Sequence, residues 1–455
     1  MYDLAVSGGN VYLDGRWVET NVYVNDGRVA ALSPDVLPAL RSEDVGGLNV
    51  MPGLIDAHVH FAMQSGAYTT VDDFASGSEA AARGGVTTVI DFLDERATAA
   101  GMEAEFERKL ALAADSCVDF GLHAAVCELE DDAEVMAKTA RSLGSSTLKL
   151  YTTYKPAAYA SWQTVSRLIA LSSRQHLLIL CHAEDDDLLS QGDDRVASLG
   201  RNRPVAAETE AVRHIAALVR ELAGQAYIVH TSAGSTVEML SREYPDLLGR
   251  TLFLEATPHH LLLNDSFYAT AEAWQYTMAP PLRPEAERRE LNRHWRDLSV
   301  FATDHCAFAA ADKNRTALSS IPMGVGGVGH LFGLMYDAFG DAAIDRLTLN
   351  PAVLHGLYPA KGSLRVGSDA DLVAFACTGA HRPAAGHGRT DADIFAGIPV
   401  STTVELVLSR GKRLIKNGKT YGSRGKYMKR TLLPKAASHL AKGSHAATKA
   451  ERSAG

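Results

Sequence analysis

The chain has 455 residues, 46% hydrophobic and 22% charged, so it holds enough apolar material for one large core and a second, smaller unit. A formal net charge of −9 provides no basic footprint for nucleic acid or an anionic membrane, and we expect neither as a partner. Uninterrupted apolar runs of about 18 residues and a secretory signal pattern in residues 1–11 are both absent, which predicts a cytoplasmic protein.

Short strands separated by turns are predicted for the first fifty residues. Asp14-Gly15 lies between the apolar runs 11–13 and 17–18, and Asp26-Gly27 follows the run 22–24. Asp-Gly pairs between apolar runs are typical of β-hairpin turns. The segment therefore predicts a small β element.

From residue 50 to about residue 364, apolar runs alternate with amphipathic helical stretches rich in Ala and Leu. The runs include 86–90 (VTTVI), 147–150 (TLKL), 177–180 (LLIL) and 227–230 (YIVH). Short buried strands that alternate with helices indicate parallel βα units, and about 300 residues suit one barrel of eight such units. We therefore predict an α/β fold with a (β/α)8 TIM-like barrel over residues 51–364.

After Gly362 the sequence returns to short β pieces, at 371–375, 404–408 and 413–415, with turn residues such as Asn417-Gly418 between them. We predict that both chain ends, residues 1–50 and 365–430, form one small β-sandwich domain beside the barrel. Residues 431–455 are predicted to be a flexible tail, because 434–455 are rich in Ala, Lys, Ser and His without an apolar period.

His58 and His60 are candidate metal ligands. Residues two apart in a strand point the same way, so both imidazoles can reach one cation. An isolated pair of this spacing is more often structural, but the preceding segment 51–56 (MPGLID) makes the signature specific. The five cysteines form no CxxC pair, so any metal must be bound by nitrogen and oxygen.

Further residues of metal-ligand type follow apolar runs at predicted strand ends. His182 closes the run that ends at Cys181, His230 closes the run 227–229, and Asp304 follows the run 300–303 (VFAT). One such histidine alone would more often be a core or surface residue. A barrel places its active site at the carboxyl ends of its strands, so four histidines and one aspartate at such ends predict a metal site.

Lys149 lies inside the strand-like run 147–151 (TLKLY), where its ammonium group would point into the barrel at a large desolvation cost. Another interaction or a chemical change of the amine must offset this desolvation cost. The lysine could pair with a carboxylate, act as a base, or react with carbon dioxide to form a carbamate. The carbamate would be an anionic oxygen ligand able to bridge two cations. The alternative for the residue alone is a lysine that extends to the barrel rim.

The resemblance to a known family is carried by motifs along nearly the whole chain, except the tail. They are 52–56 (PGLID), 72–74 (DDF), 84–88 (GGVTT), 149–155 (KLYTTYK), 181–184 (CHAE), 228–232 (IVHTS), 255–259 (EATPH), 280–283 (PPLR), 303–306 (TDHC), 356–362 (GLYPAKG), 367–372 (GSDADL) and 427–430 (YMKR). With these motifs the sequence resembles the hydantoinase and dihydropyrimidinase branch of the amidohydrolase superfamily, which also contains allantoinases and dihydroorotases.

That resemblance implies two divalent metal ions, with zinc as the first choice and manganese, cobalt or iron as alternatives. His58, His60 and Asp304 would bind the more buried ion, His182 and His230 the second, and N6-carboxylated Lys149 would bridge both. A hydroxide shared by the two ions would attack a ring carbonyl. Asp304 would accept its proton as general base and pass it to the leaving ring nitrogen as general acid.

The resemblance also implies residues that contact the substrate. Tyr154 would donate a hydrogen bond to the oxyanion, the alternative being a structural tyrosine on the loop. The backbone at Ala279 and Met323 would bind the ring. His260 and the segment 61–66 (FAMQSG) depart from the family pattern and leave the choice of substrate open. His305 and Cys306 are expected to pack around the ligands.

The predicted function is therefore the ring opening of a hydantoin or dihydropyrimidine to an N-carbamoyl amino acid. Allantoinase is an alternative, and dihydroorotase is disfavoured because no arginine for a substrate carboxylate lies between Phe61 and Thr70. Some relatives are metal-free, non-catalytic scaffolds, but here all six ligand positions are filled. The resemblance also implies a homo-oligomer, either a homotetramer or a dimer.

Overall fold

A computed structural model of the chain describes residues 1–190, 192–382, 387–433 and 436–440. The amino-terminal part consists of short strands joined by tight turns. These strands are β1 (Leu4–Ser7), β2 (Asn10–Leu13), β3 (Arg16–Glu19), β4 (Asn21–Asn25), β5 (Arg28–Ser33), β6 (Ser42–Asp44) and β7 (Asn49–Pro52).

Strands and helices then alternate as far as Phe301. In chain order they are β8 (Leu54–Val59), β9 (Gln64–Ser65), β10 (Tyr68–Thr69), α1 (Phe74–Arg83), β11 (Val86–Phe92), α2 (Ala99–Leu112), β12 (Asp119–Ala125), α3 (Ala133–Ser142), β13 (Thr147–Tyr151), α4 (Trp162–Gln175), β14 (Leu178–His182), α5 (Leu199–Asn202), α6 (Val205–Leu222), β15 (Ala226–Ile228), α7 (Gly234–Glu243), β16 (Leu252–Ala256), α8 (Pro258–Leu262), α9 (Glu285–Arg293) and β17 (Val300–Phe301).

The remainder comprises further helices and then a group of antiparallel strands. They are α10 (Ala310–Lys313), α11 (Leu331–Phe339), α12 (Ala342–Leu347), α13 (Leu349–Leu354), β18 (Leu372–His381), β19 (Val400–Ser409), β20 (Lys412–Lys416) and β21 (Lys419–Thr420).

Eight parallel strands form the central barrel, in the order β8, β11, β12, β13, β14, β15, β16 and β17. The ring closes where Val59 bridges to His305 in parallel and the backbone N–H of His60 donates to the carbonyl of His305 at 2.8 Å. Both faces of each strand are covered, which is why β11 is buried along its whole length and appears in the sequence as a nearly continuous apolar run. The predicted α/β barrel fold is confirmed.

Helix α4 shows how the helices around the barrel begin and pack. In α4 the hydroxyl of Ser161 accepts a hydrogen bond from the backbone N–H of Thr164 and caps the first turn. Val165, Leu168 and Ile169 follow three or four residues apart and are buried on one face.

Both chain ends build a β-sandwich beside the barrel. One sheet has the order β5-β4-β1-β6, and the other has the order β21-β20-β19-β18-β7-β2-β3. The two chain ends meet where β7, the last of the amino-terminal strands, pairs antiparallel with β18, so that Met51 lies opposite Val373. Because β7 runs on to Pro52, the sheet extends slightly past residue 50, and the domain boundaries at 50/51 and 364/365 stay predictions.

A buried ion cluster joins the sandwich to the lower end of the barrel. Lys361 Nζ lies 2.6 Å from Asp119 Oδ2, 2.6 Å from Asp371 Oδ2 and 3.0 Å from Asp369 Oδ2, and Arg410 pairs with the other oxygen of Asp119. Asp119 begins barrel strand β12, whereas Asp371 directly precedes sandwich strand β18. The cluster therefore locks the two units together.

The segment after the sandwich passes beneath the barrel. Arg430 is buried there and its guanidinium donates to the carbonyl of Leu122 and to the hydroxyls of Ser145 and Thr147. Within the predicted tail, Leu432 and Leu440 are buried, while residues 434–435 and 441–455 lie outside the described part of the chain. Among the described helices, none is long and apolar enough to cross a membrane.

Candidate metal centre

The sequence-predicted site residues meet at one cavity of about 780 Å³ at the carboxyl ends of the barrel strands. His58 lies in β8, Lys149 in β13 and His182 ends β14, while His230 and Asp304 follow β15 and β17. The residues that line the cavity include His58, His60, Lys149, Tyr154, His182, His230, Ala279, Asp304 and Met323. The parallel direction of the strands brings these distant parts of the sequence together.

Ligand atoms of His58, His230 and Asp304 all lie within 4.8 Å of one another. Oδ1 of Asp304 is 3.0 Å from Nε2 of His58 and 3.2 Å from Nε2 of His60. The contact of His58 Nε2 with Asp304 is close but lacks hydrogen-bond geometry, and Nδ1 of His230 is likewise buried without a hydrogen bond among the described residues. Buried, unpaired nitrogen atoms grouped around a carboxylate fit a divalent cation.

Glu255 holds His58 from the other side. Nδ1 of His58 donates to Glu255 Oε1 at 2.7 Å, and the same carboxylate accepts from the backbone N–H of His230 and from the hydroxyl of Tyr227, both at 2.9 Å. Burial opposes a charge on His58, but Glu255 and Asp304 outweigh it and raise its pKa to about 9. The surroundings of His58 thus favour positive charge, which a bound cation would supply.

His182 has an acidic partner of its own. Its Nε2 lies 2.8 Å from Glu184 Oε2, and Nε of Arg203 donates to both oxygens of Glu184 at 3.2 Å. Burial lowers the pKa of His182 to about 4, so the ring is neutral near pH 7. Donation from Nε2 to Glu184 leaves the Nδ1 lone pair available to a ligand.

Lys149 is 1% exposed and stands between two aromatic rings, with Nζ 5.0 Å from the centre of Phe92 and 4.5 Å from that of Tyr151. Burial lowers the pKa of its amine to about 8. In the described part of the chain it forms no ion pair within 4.0 Å, unlike the buried Lys109, which pairs with Asp91 at 2.8 Å. A neutral amine is therefore accessible near pH 8, as carbamate formation requires.

Asp56 positions Asp304 opposite the paired histidines. Asp56 Oδ1 accepts from the backbone N–H of Thr303 at 3.1 Å and from that of His58 at 3.2 Å, and its other oxygen accepts from the Thr303 hydroxyl. Asp304 then has a φ of 51°, a conformation sparsely populated outside glycine. The surrounding hydrogen bonds hold this strained residue, as is common at functional sites.

Tyr154 also has a positive φ, 68°, and the guanidinium of Arg203 lies 5.1 Å from the centre of its ring. Burial raises the pKa of its hydroxyl to about 12. The hydroxyl therefore stays protonated at neutral pH and is available as a hydrogen-bond donor in the cavity.

Two loop segments present Ala279 and Met323 to the cavity, and a buried lysine ties them together. The backbone N–H of Gly324 donates to the carbonyl of Thr277 at 3.0 Å. Lys313 Nζ donates to the carbonyl of Thr277 at 2.9 Å and to that of Gly324. This arrangement fixes the backbone next to both predicted contact residues.

His305 and His260 pack around the site. Nε2 of His305 lies 3.1 Å from Asp72 Oδ2, and its Nδ1 accepts from the backbone N–H groups of Gly327 and Val328. His260 is buried between the hydroxyl of Thr257, at 2.9 Å, and the carbonyl of Pro280, at 3.1 Å. Neither ring lines the cavity.

Sequence reasoning missed the groups that orient the ligands. Glu255 and Glu184 lie in the motifs 255–259 and 181–184, but no role was predicted for either of them. Asp56 and Arg203 were likewise given no role in the site. For the three carboxylates the available signal was their position inside or just after an apolar strand, where a buried carboxylate needs hydrogen-bond partners; Arg203 left no such signal.

Comparisons with known proteins agree with this geometry. The model of the amidohydrolase family matches residues 49–414. A D-hydantoinase from Streptomyces coelicolor is 29% identical over 450 residues, covering 92% of this chain and 96% of the relative. A dihydropyrimidinase from Arabidopsis thaliana is 27% identical, covering 93% of this chain and 85% of the relative. The crystal structure of a D-hydantoinase superposes with a TM-score of 0.89 at 27% identity, covering 95% of this chain and 99% of that one.

Proposed function

Because the chain belongs to the amidohydrolase family, in its hydantoinase and dihydropyrimidinase branch, we propose that it hydrolyses a cyclic amide, opening a hydantoin or dihydropyrimidine ring to an N-carbamoyl amino acid. One observation carries the proposal: four histidines, a lysine and an aspartate converge on one cavity at the strand ends. A cavity that gathers these ligand types suits hydrolysis of a small molecule.

The family implies a divalent metal site, and the residues of the cavity fit one. In this proposal His58, His60 and Asp304 hold one ion, His182 and His230 hold a second, and carboxylated Lys149 bridges them. The ions, zinc or else manganese, cobalt or iron, would supply Lewis-acid activation of the ring carbonyl and of water. The bare, buried amine of Lys149 supports the modification, since a carbamate removes the cost of burying a cation.

Asp304 is the proposed general base and acid. Burial disfavours its charge, but His58 and His60 outweigh that effect and keep its pKa well below the ordinary range. The carboxylate is therefore ionised at neutral pH, and its position beside the paired histidines would let it take the proton of the attacking water. Returning that proton to the ring nitrogen makes the nitrogen a leaving group, which it would not be as an anion.

Tyr154 and the two loop segments would bind and orient the ring. The Tyr154 hydroxyl would donate to the oxygen that becomes negative as the ring carbonyl is attacked. Backbone groups at Ala279 and Met323 would form hydrogen bonds with the amide groups of the ring. The hydrogen bonds from Lys313 to the carbonyls of both loops keep that backbone in place. Assembly into a dimer or tetramer and a cytoplasmic location stay predictions.

A ring-opening screen of the metal-loaded protein tests the proposal. Hydantoin, 5-phenylhydantoin, dihydrouracil, allantoin and dihydroorotate would each be incubated with protein of known metal content, and the opened products separated by chromatography. We expect turnover of the first three. Preference for allantoin would indicate an allantoinase. Less than one metal ion per chain and no turnover of any ring would support the scaffold alternative.

A further inference from the structure

The cavity is larger than a bare ring requires. Its volume is about 780 Å³, within the range for drug-sized ligands, whereas hydantoin has only seven non-hydrogen atoms. The metal-ligand cluster occupies the floor, so a ring bound there leaves the space beside the walls to a substituent. The side chains of those walls then decide which substituents fit.

Two acidic residues, Asp94 and Glu95, follow β11 and line the cavity. Among the described lining residues Lys149 is the only lysine or arginine, and it lies with the metal-ligand cluster. The other wall residues are neutral and include Met63, Gln64 and Tyr68. The wall after β11 thus carries two acidic side chains, and the amine of Lys149 on the floor is the one lysine or arginine group among the described lining residues.

Asp94 contributes little net charge to this wall. Its carboxylate lies 3.0 Å from Arg108 Nη2 and 3.7 Å from Arg96 Nη2, and both arginines also pair with Glu105. Two carboxylates and two guanidinium groups balance within that cluster.

Glu95 is different, because its carboxylate is in no ion pair within 4.0 Å in the part of the chain that the structure describes. It interacts instead with the hydroxyl of Tyr151, whose ring lies beside the amine of Lys149. Glu95 is only partly buried, so its side chain meets both the cavity and its neighbour Tyr151. An unpaired carboxylate on a cavity wall attracts a ligand cation and repels a ligand anion.

We propose that Glu95 is a specificity-determining residue that selects cyclic amides with a positively charged substituent, such as an aminoalkyl side chain, over neutral and anionic ones. The inference rests on the proposed ring-opening function for its substrate class. The same charge would disfavour a substituent carboxylate.

Three hydantoins of similar size test the charge preference: 5-(4-aminobutyl)hydantoin, 5-pentylhydantoin and 5-(2-carboxyethyl)hydantoin. With the metal-loaded enzyme at pH 8, we expect kcat/KM for the aminobutyl compound to exceed that for the pentyl compound by about tenfold, or about 1.4 kcal/mol. The carboxyethyl compound should be the poorest of the three. In Glu95→Gln, which keeps an acceptor oxygen for Tyr151, the aminobutyl-to-pentyl ratio should fall to about one.

Glu130→Gln is the matched control, because it removes the same charge from an exposed residue that does not line the cavity. It should keep the wild-type ratio, and Glu95→Lys should invert it. A ratio that stays within twofold of wild type in Glu95→Gln overturns the inference while leaving the ring-opening function intact.

Binding titrations of the same three compounds separate the two proposals further. If wild-type protein opens no hydantoin at all, the proposed function fails, and the Kd ratio of the aminobutyl and pentyl compounds still decides the role of Glu95. We expect that ratio to change about tenfold between wild type and Glu95→Gln, and an unchanged ratio overturns the inference.

Discussion

Glu255 accepts a hydrogen bond from Nδ1 of His58 at 2.7 Å, and both side chains are fully buried. The two residues are 197 positions apart in the sequence, and the bond joins β16 to β8, the two strands on either side of β17 in the closed ring. It fixes which nitrogen of His58 carries the proton and which faces Asp304.

Glu255→Gln should therefore weaken metal binding while leaving the ligands themselves in place. The amide keeps the size of the side chain but loses the charge that strengthens the hydrogen bond of His58, so we expect metal affinity to fall by about 10- to 100-fold. Titration with a competing chelator measures the change. Glu272→Gln, at an exposed position, is the control, and equal affinity in the two variants would contradict the orienting role of Glu255.

Lys149→Ala should lose most of its bound metal and activity, because it removes the proposed bridging carbamate. Added acetate or propionate should partly restore both, since these acids supply bridging oxygens. Metal analysis and rate measurements with and without the acid follow the effect. Carbon-13 NMR after incubation with labelled bicarbonate should give a carbamate signal in wild type only, and two retained metal ions in the variant would argue against the bridge.

Asp304→Asn should reduce kcat by about 10²- to 10⁴-fold, because the amide cannot accept the proton from water. The reduction should exceed any loss of metal, so metal content per chain is measured on the same samples. A variant that retains metal and turns over at a near-normal rate would remove Asp304 from proton transfer.

Lys361→Met should reduce the free energy of unfolding by about 3–5 kcal/mol at pH 7, because it removes the cation that Asp371 pairs with and leaves the buried Asp119 with Arg410 alone. Burial opposes ionisation of Asp119, but Lys361 and Arg410 outweigh it and lower its pKa. The stability from ionised Asp119 is thus fully present above its ordinary pKa of about 3.9 and is lost as the pH falls through the lower folded-state value.

In Lys361→Met these carboxylates protonate more readily than in wild type, so the stability deficit should shrink as the pH is lowered from 7 toward about 4. Denaturant unfolding at several pH values measures this trend. Lys412→Met, at an exposed lysine, should show no deficit at any pH. A deficit of Lys361→Met that is constant with pH would mean that lost packing, not charge, causes it.

Deletion of residues 434–455 should leave kcat/KM within about twofold of wild type, since the cavity contains none of the described residues of that segment. Leu440 is buried among side chains that include Leu432 and Tyr227, so its loss should cost roughly 1.5–3 kcal/mol of stability. Steady-state kinetics and thermal unfolding of the truncated chain measure the two effects. Loss of activity at temperatures where the variant is folded would show that the segment supports the site.

The barrel could be predicted from sequence because buried parallel strands are short apolar runs whose ends carry the functional residues. The prediction was least accurate at the ends of strands. The run 227–230 suggested a strand through His230, but β15 ends at Ile228 and His230 takes a φ of 38°. At this position the backbone N–H of His230 donates to the side chain of Glu255 in the neighbouring strand β16 and not to that strand's backbone, a tertiary contact that no local pattern reveals.

The partners of the ligands could not be predicted for a similar reason. Glu184 is two residues from His182, yet its other partner, Arg203, lies in the turn before α6. Likewise, the hairpin of β9 and β10 beside the cavity is only two residues per strand and leaves almost no periodic signal. Local sequence specifies which groups must be buried, but the fold specifies what they meet.

The pairing of β7 with β18 has a consequence for biosynthesis, since nearly the entire barrel is translated between them. The other amino-terminal strands pair among themselves, but at about 5–20 residues per second β7 waits for tens of seconds before β18 emerges. During that interval the edge of β7 that later pairs with β18 stays open and could associate with other nascent chains. Assembly of the sandwich is therefore a late event, and conditions that slow elongation should favour aggregation of this protein over its native yield.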